Sequence, residues 1–134
     1  MSRDSVVNIL GSRKDLLYGK GASIELINEA EKKLGLHFSE PYKEYLMEYG
    51  IAAFAGHELT GLSDSKRTNV VDVTIKERNR NINIPDELYV IEETNMDGMV
   101  FWQNQRGEVF KSIGPSKAKK VYASFEEYLL VFDI

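Results

Sequence analysis

The chain has 134 residues and no cysteine, and its 21 acidic and 17 basic residues give a formal net charge of −4. This length predicts one domain with its own hydrophobic core. The lack of cysteine excludes a disulfide framework, a thiolate metal site and a cysteine nucleophile, and the acidic balance disfavours nucleic acid as a ligand. Because the apolar run after Met1 is too short for a signal peptide or a membrane span, we expect a cytoplasmic protein without membrane contact.

The N-terminal part of the chain carries the signals of two helices. Residues 4–13 have a short apolar side, which predicts a helical lead-in within residues 1–20. Ser23 is a good N-cap for a helix over residues 24–34, whose first turn is acidic and whose last turn is basic, as the helix dipole prefers. We therefore expect a lead-in over residues 1–20 and a globular unit over residues 21–134, within one domain.

The clearest helix signal follows at residues 39–50. Ser39 is a good N-cap, Pro41 is tolerated in a first helical turn, and Gly50 is a stop signal. An apolar stripe at i, i+3, i+4 and i+7 comprises Tyr42, Tyr45, Leu46 and Tyr49. This helix should nucleate the core, and its tyrosine hydroxyls need hydrogen-bond partners.

The middle of the chain is less clear. Residues 51–62 favour short extended segments, and residues 63–67 favour a loop. Residues 68–80 are ambiguous, because Val70, Val71 and Val73 favour a strand locally while Val70, Val73 and Glu77 fit one face of a helix. Local signals leave both possibilities open.

The second half predicts a meander of three antiparallel strands with two tight turns. The strands are residues 88–93, 99–103 and 108–113, joined by turns at residues 95–98 and 104–107. A basic loop is predicted over residues 114–120. Ser124 and Glu127 then form a capping box that begins a C-terminal helix.

The search for catalytic chemistry yields little. The pair His57–Glu58 suggests a metal ligand or a base, but the helical zinc motif needs a second histidine where this chain has Gly61. A phosphate-binding loop is not evident, because the glycines lack the spacing and the following lysine. We predict no catalytic residue, no cofactor and no metal, and we keep a small enzyme using His57 and an acid as a third-ranked hypothesis.

Several acidic residues and the lone tryptophan can be interpreted either as ordinary solvated or core positions or as a docking surface. Glu40, Glu44 and Glu48 form an acidic ridge on the exposed side of the helix over residues 39–50. Glu92 and Glu93 precede the turn at Asp97, and because strand side chains alternate, these two glutamates should point to opposite faces. The same alternation should send either Phe101 or Trp102 outward.

The order of these motifs resembles the SMI1/KNR4 family, also called the SUKH superfamily, over about residues 21–132. The motifs are Leu34-Gly35-Leu36, Tyr42-Lys43-Glu44-Tyr45-Leu46, Tyr49-Gly50, Glu58-Leu59-x-Gly61-Leu62, Asn95-Met96-Asp97-Gly98, Gly107-Glu108-Val109-Phe110 and Ala123-Ser124-Phe125-Glu126-Glu127-Tyr128-Leu129. The resemblance implies an α+β domain whose mainly antiparallel sheet is flanked by N-terminal helices and a C-terminal helix. It also implies that residues 68–80 are helical.

The resemblance implies a non-catalytic function. Bacterial members of the family are mostly regarded as immunity proteins that bind and neutralise polymorphic toxins, often nucleases, whereas fungal members are regulatory interaction modules. We therefore expect occlusion of a basic toxin domain, with a regulatory module bound to an endogenous partner as the alternative. The predicted partner-binding residues are Glu44, Glu48, Glu58, Glu92, Glu93, Asp97 and Trp102. The sequence leaves the oligomeric state open.

Overall fold

The computed structural model describes residues 5–132. The remaining ends of the predicted lead-in and globular unit, residues 1–4 and 133–134, lie outside the described residues. The helices are α1 (Val6–Gly11), α2 (Ile24–Leu34), α3 (Glu40–Tyr49), α4 (Val70–Arg80) and α5 (Phe125–Leu130). Each of these five helices begins after a serine or asparagine whose side chain accepts a hydrogen bond from a backbone N–H of the first turn. The helix starts predicted at Ser23, Ser39 and Ser124 are therefore confirmed.

Two antiparallel sheets accompany the helices. The strands are β1 (Leu17–Tyr18), β2 (Ala52–Phe54), β3 (His57–Glu58), β4 (Tyr89–Glu93), β5 (Met99–Gln103), β6 (Val109–Ile113) and β7 (Lys119–Tyr122). The smaller sheet has the order β1-β2-β3 and the larger the order β4-β5-β6-β7. A β-bridge between Leu59 and Glu92 joins the two sheets where β3 ends. The α+β class and the three-stranded meander are confirmed.

The ambiguous segment is the helix α4. The Asn69 side chain accepts a hydrogen bond from the Val71 backbone N–H at 2.9 Å. Val70, Val73 and Thr74 are buried against the rest of the domain, and Thr74 Oγ1 accepts a hydrogen bond from the Val90 backbone N–H at 3.0 Å. Tertiary packing therefore overrides the local β-propensity of these branched residues.

Two of the edge strands, β1 and β7, were not predicted. The prediction of a loop over residues 114–120 was wrong at its end, because Lys119 and Lys120 begin β7 and pair with β6. Lysines on an edge strand discourage pairing with another chain, and they also mask the strand signal in the sequence. The two-residue strand β1 is too short to produce an alternating pattern.

Both faces of the larger sheet are covered. On one face, Val73 of α4 belongs to a cluster with Val90 and Trp102. On the other face, Tyr89 belongs to the main core with the buried side chains of α3 and α5. The stripe predicted on α3 (Tyr42, Tyr45, Leu46 and Tyr49) is buried, as expected. Since both faces are covered, alternation along β5 does not expose a side chain fully.

A register shift in β4 determines where two neighbouring glutamates point. The pairing of β4 with β5 shifts between Val90 and Glu92, so that Glu92 lies opposite Phe101 and Glu93 opposite Val100. Glu92 therefore points to the face covered by α5, and Glu93 points to the face covered by α4. The expectation that the two carboxylates have separate surroundings is confirmed.

Candidate partner-binding surface and the buried Glu92 network

Trp102, a predicted partner residue, is 1% exposed. Its indole Nε1–H donates a hydrogen bond to Ser112 Oγ at 2.9 Å, between two strands of the larger sheet. The side chain thus lies beneath α4 instead of on the surface. We correct this assignment, because the prediction assumed that one face of the sheet was open to solvent.

Glu92, another predicted partner residue, is 2% exposed. Its Oε2 lies 2.8 Å from His57 Nδ1, and its Oε1 accepts a hydrogen bond from the Tyr128 hydroxyl. Burial raises the pKa of Tyr128, and the Glu92 charge raises this pKa further, so the phenol remains protonated and able to donate. Glu92 is thus a buried hydrogen-bond acceptor, and the assignment to an exposed surface is corrected.

The network of His57, Glu92 and Tyr128 connects β3, β4 and α5. The His57 ring also packs against Phe132 at a tilt of 34°, with ring centroids 3.9 Å apart. A histidine whose ring is held by a carboxylate can act as a general base or as a metal ligand. Within residues 5–132, however, no group of three or more histidine, aspartate or glutamate side chains is arranged to hold a metal ion. The contacts of the network join three secondary-structure elements. Sequence reasoning missed the network because Glu92 is 35 residues from His57 and 36 residues from Tyr128 along the chain.

Two further predicted residues lie near the surface but already have cationic partners. Glu58 accepts hydrogen bonds from both terminal nitrogens of Arg67, at 2.7 and 2.9 Å, and Arg67 lowers the pKa of this carboxyl. Glu93 lies 2.8 Å from Lys76 Nζ on α4. The structure brings Glu58 and Glu93 to one shallow groove, but their charges are largely balanced.

Glu44 and Glu48 have different surroundings. Both are exposed on the outer side of α3, and among residues 5–132 neither forms a salt bridge. Met47 lies on the same side of the helix and is 53% exposed. This side of α3 therefore combines two unbalanced negative charges with an accessible apolar side chain.

A second exposed apolar segment borders α3. Leu17 and Tyr18 of β1 are 72% and 65% exposed, and the Tyr18 ring packs on Tyr49 with centroids 5.2 Å apart. The chain then follows the end of α3, where the Ala22 N–H donates to the Leu46 carbonyl oxygen at 2.8 Å. Gly21 allows this approach, because a Cβ there would lie 2.1 Å from the Met47 carbonyl oxygen.

We call Leu17, Tyr18, Glu44, Met47 and Glu48 the α3 surface. Sequence reasoning identified its two glutamates but missed its apolar members, because the two-residue strand β1 is too short to produce an alternating pattern. Asp97, the remaining predicted partner residue, is exposed in the turn between β4 and β5 and forms no salt bridge within the described residues. Asp97 lies outside the α3 surface. Glu58, which lines one groove with Leu17 and Tyr18, and Glu93 are left out of this surface because each already has a cationic partner.

Comparison with known proteins agrees with the fold. In the part of the chain that the structure describes, no helix has the length and apolarity needed to cross a membrane. A comparison with curated proteins found no match. A protein-family model described as SMI1-KNR4 cell-wall matches residues 24–129, from the first residue of α2 to the last turn of α5. The chain belongs to the SMI1/KNR4 (SUKH) family.

Proposed function

We propose that this chain is a cytoplasmic, non-catalytic immunity protein. It binds a toxin domain that acts as a nuclease, and it neutralises this domain by occlusion. Family membership supports this proposal, because SUKH domains are protein-interaction modules and many bacterial members act in toxin immunity. The observation that carries it on this chain is the α3 surface, where the exposed Met47 lies beside two unbalanced glutamates and the exposed strand β1 borders the end of the helix.

The chemistry of the α3 surface fits a basic partner. A toxin that acts on nucleic acid needs a positive surface, and the negative charges of Glu44 and Glu48 attract such a surface and raise the association rate. Leu17, Tyr18 and Met47 would supply the apolar contact area that holds the complex after encounter. Glu58 and Glu93 contribute less to this attraction, because each already has a cationic partner.

The partner must first be identified by pull-down of the tagged chain from its native host. We expect a large protein with a basic C-terminal domain, and that domain is then produced alone for binding measurements. The double variant Glu44→Lys/Glu48→Lys should weaken binding at least tenfold, since each attractive charge becomes repulsive. The same variant should reduce the dependence of the association rate on salt concentration.

A matched control is the double variant Asp64→Lys/Glu87→Lys. It makes the same change in net charge at two other exposed acidic residues. We expect it to retain the wild-type dissociation constant within about threefold, because only screened long-range attraction changes. Equal weakening by both double variants would remove the α3 surface from the proposal and leave only net charge.

A regulatory interaction module is the second candidate. The description of the matched family refers to the cell wall, and the fungal members of the family are regulatory proteins. Recovery of a stable set of housekeeping proteins, without a toxin, would favour this function over immunity.

A further inference from the structure

A pair of carboxyl groups connects α4 to β4. Glu77 of α4 and Glu93 of β4 line the same groove, and their carboxyl groups lie within hydrogen-bonding reach of each other. Only 9% and 13% of their side-chain surfaces are exposed. Two carboxyl groups can share a hydrogen bond only when one of them holds a proton. We infer that the Glu77–Glu93 pair is a proton-dependent clamp, which holds α4 on β4 while it shares one proton and loosens when that proton is lost.

The charged neighbours indicate which carboxyl holds the proton. Lys76 Nζ lies 2.8 Å from Glu93, whereas Arg80 is 3.5 Å from Glu77 and mostly exposed. Arg67, in the loop before α4, also interacts electrostatically with Glu93. The proton therefore belongs on Glu77, and Glu93 is the charged acceptor.

The surroundings of the pair supply little additional charge. It lies at a groove of about 440 Å³ whose other side is formed by the turns around Asn95–Gly98 and Gly114–Pro115, which bring no cation. The helix α2, which also packs on α4, contacts it elsewhere, as when Arg78 donates to the Leu34 carbonyl oxygen. The groups that face the pair are thus Lys76, Arg80 and Arg67.

The pKa values agree with this geometry. Burial and then the hydrogen bond and charge of Glu93 raise the pKa of Glu77 to about 7. Burial alone would raise the pKa of Glu93 as well, but the hydrogen bonds from Glu77 and Lys76 lower it below its usual value. The clamp thus loses its proton near neutral pH, where both carboxylates become charged and repel each other.

The direction of the pH effect follows from proton linkage. A Glu77 carboxyl released to solvent has its ordinary pKa of 4.5, so the open form binds the proton less tightly than the closed form. Opening is therefore suppressed at low pH and becomes more favourable as the pH rises through the interval between these two pKa values. Between about pH 6 and pH 8, the opening equilibrium of α4 should increase about tenfold.

Two measurements on the full chain test the clamp. In a carbon-13 NMR titration of the side-chain carboxyl groups, Glu77 should titrate with a midpoint near pH 7, and Glu93→Gln should lower that midpoint by removing the neighbouring charge. Hydrogen exchange at Val73 and Thr74, corrected for the intrinsic effect of pH, should become about tenfold faster between about pH 6 and pH 8.

Glu77→Gln provides the decisive comparison, because the amide has a similar shape but holds no titrating proton. In this variant, the corrected hydrogen-exchange rates in α4 should no longer depend on pH. In the Glu31→Gln variant, which changes another buried carboxyl group, these rates should keep their dependence on pH. A Glu77 midpoint below about pH 5.5 in the wild-type chain would overturn the inference. So would corrected exchange rates in α4 that are equal at the two pH values. The titration needs no variant, so it decides the question even where Glu77→Gln fails to fold.

Discussion

The Tyr128 hydroxyl donates a hydrogen bond to the buried Glu92 carboxylate, and this contact fastens α5 to β4. Glu92 has one other hydrogen-bonding side chain nearby, His57, within the part of the chain that the structure describes. A buried carboxylate is costly unless its oxygens accept hydrogen bonds. The attachment of α5 therefore depends on a polar contact as well as on the aromatic packing around it.

Tyr128→Phe should lower the free energy of unfolding by about 2 kcal/mol, because a hydrogen bond to a buried carboxylate is lost and the ring is retained. Chemical denaturation near neutral pH measures the effect. Tyr122→Phe is the control, since the Tyr122 ring packs on Tyr128 but its hydroxyl forms no hydrogen bond within the described residues. Equal stability of the Tyr128→Phe variant and wild type would show that Glu92 finds another donor.

Ser112→Ala should lower the free energy of unfolding by about 1 kcal/mol, because the buried Trp102 indole N–H loses its acceptor. Wild-type tryptophan emission should be blue-shifted and resistant to quenching by acrylamide, since Trp102 is 1% exposed. Partner binding at the α3 surface should leave this emission unchanged. Strong quenching of the free protein would contradict the burial of Trp102.

Gly61→Ala should destabilise the fold by about 3 kcal/mol, because the added Cβ overlaps another part of the backbone. An ideal Cβ at Gly61 would lie 2.0 Å from the Gly50 carbonyl oxygen. Gly35→Ala is the comparison, since no atom lies within 4 Å of its added Cβ and only the positive φ of 68° opposes the change. That variant should cost about 1 kcal/mol, and the order of the two costs in thermal or chemical unfolding is the test.

The ionised Glu108 side chain should increase the loss of folding stability on acidification, compared with a variant that lacks this carboxyl group. The hydrogen bonds from Lys120, Asn104 and Arg106 lower its pKa to about 2. Because this pKa is depressed in the folded state, its stabilising effect is complete above the ordinary value of 4.5 and is lost as the pH falls toward about 2. Glu108→Gln should therefore lose less stability than wild type on acidification, as measured by urea denaturation at about pH 5 and pH 3.

The acid-sensitivity prediction has a matched control in Glu87→Gln. Glu87 is exposed and forms no salt bridge within residues 5–132, so this variant should follow the acid response of wild type. Identical acid responses of the Glu108→Gln variant and wild type would contradict the prediction.

The elements that the sequence predicted are those whose signals are local. Ser23, Ser39 and Ser124 each cap a helix by accepting a hydrogen bond from the backbone N–H three residues further along the chain, and such signals lie within one short stretch of sequence. Alternation likewise placed Glu92 and Glu93 on opposite faces. The family resemblance was needed for α4, because the branched residues of that helix favour a strand until Val90 and Trp102 pack against it.

The failures concern contacts between distant parts of the chain. The local sequences of β4 and β5 do not predict that Trp102 and Glu92 are buried. Their burial depends on α4 and α5, which cover the two faces of the sheet. Glu77 was noted only as part of a possible helical face, since its partner Glu93 lies 16 residues further along the chain. The exposure of Leu17 and Tyr18 follows from the position of β1 at a sheet edge. A strand of two residues is too short for the sequence to predict that position.

The register shift in β4 separates two electrostatic environments. With regular pairing from Val90 onward, Glu92 would lie opposite Val100, and Glu93 would exchange sides with it. One extra backbone residue thus determines which acid meets a histidine and which meets a second carboxyl. The sheet lies between the two groups, so the loss of the proton inferred for the α4 side does not itself remove a donor from the hydrogen bonds on the α5 side.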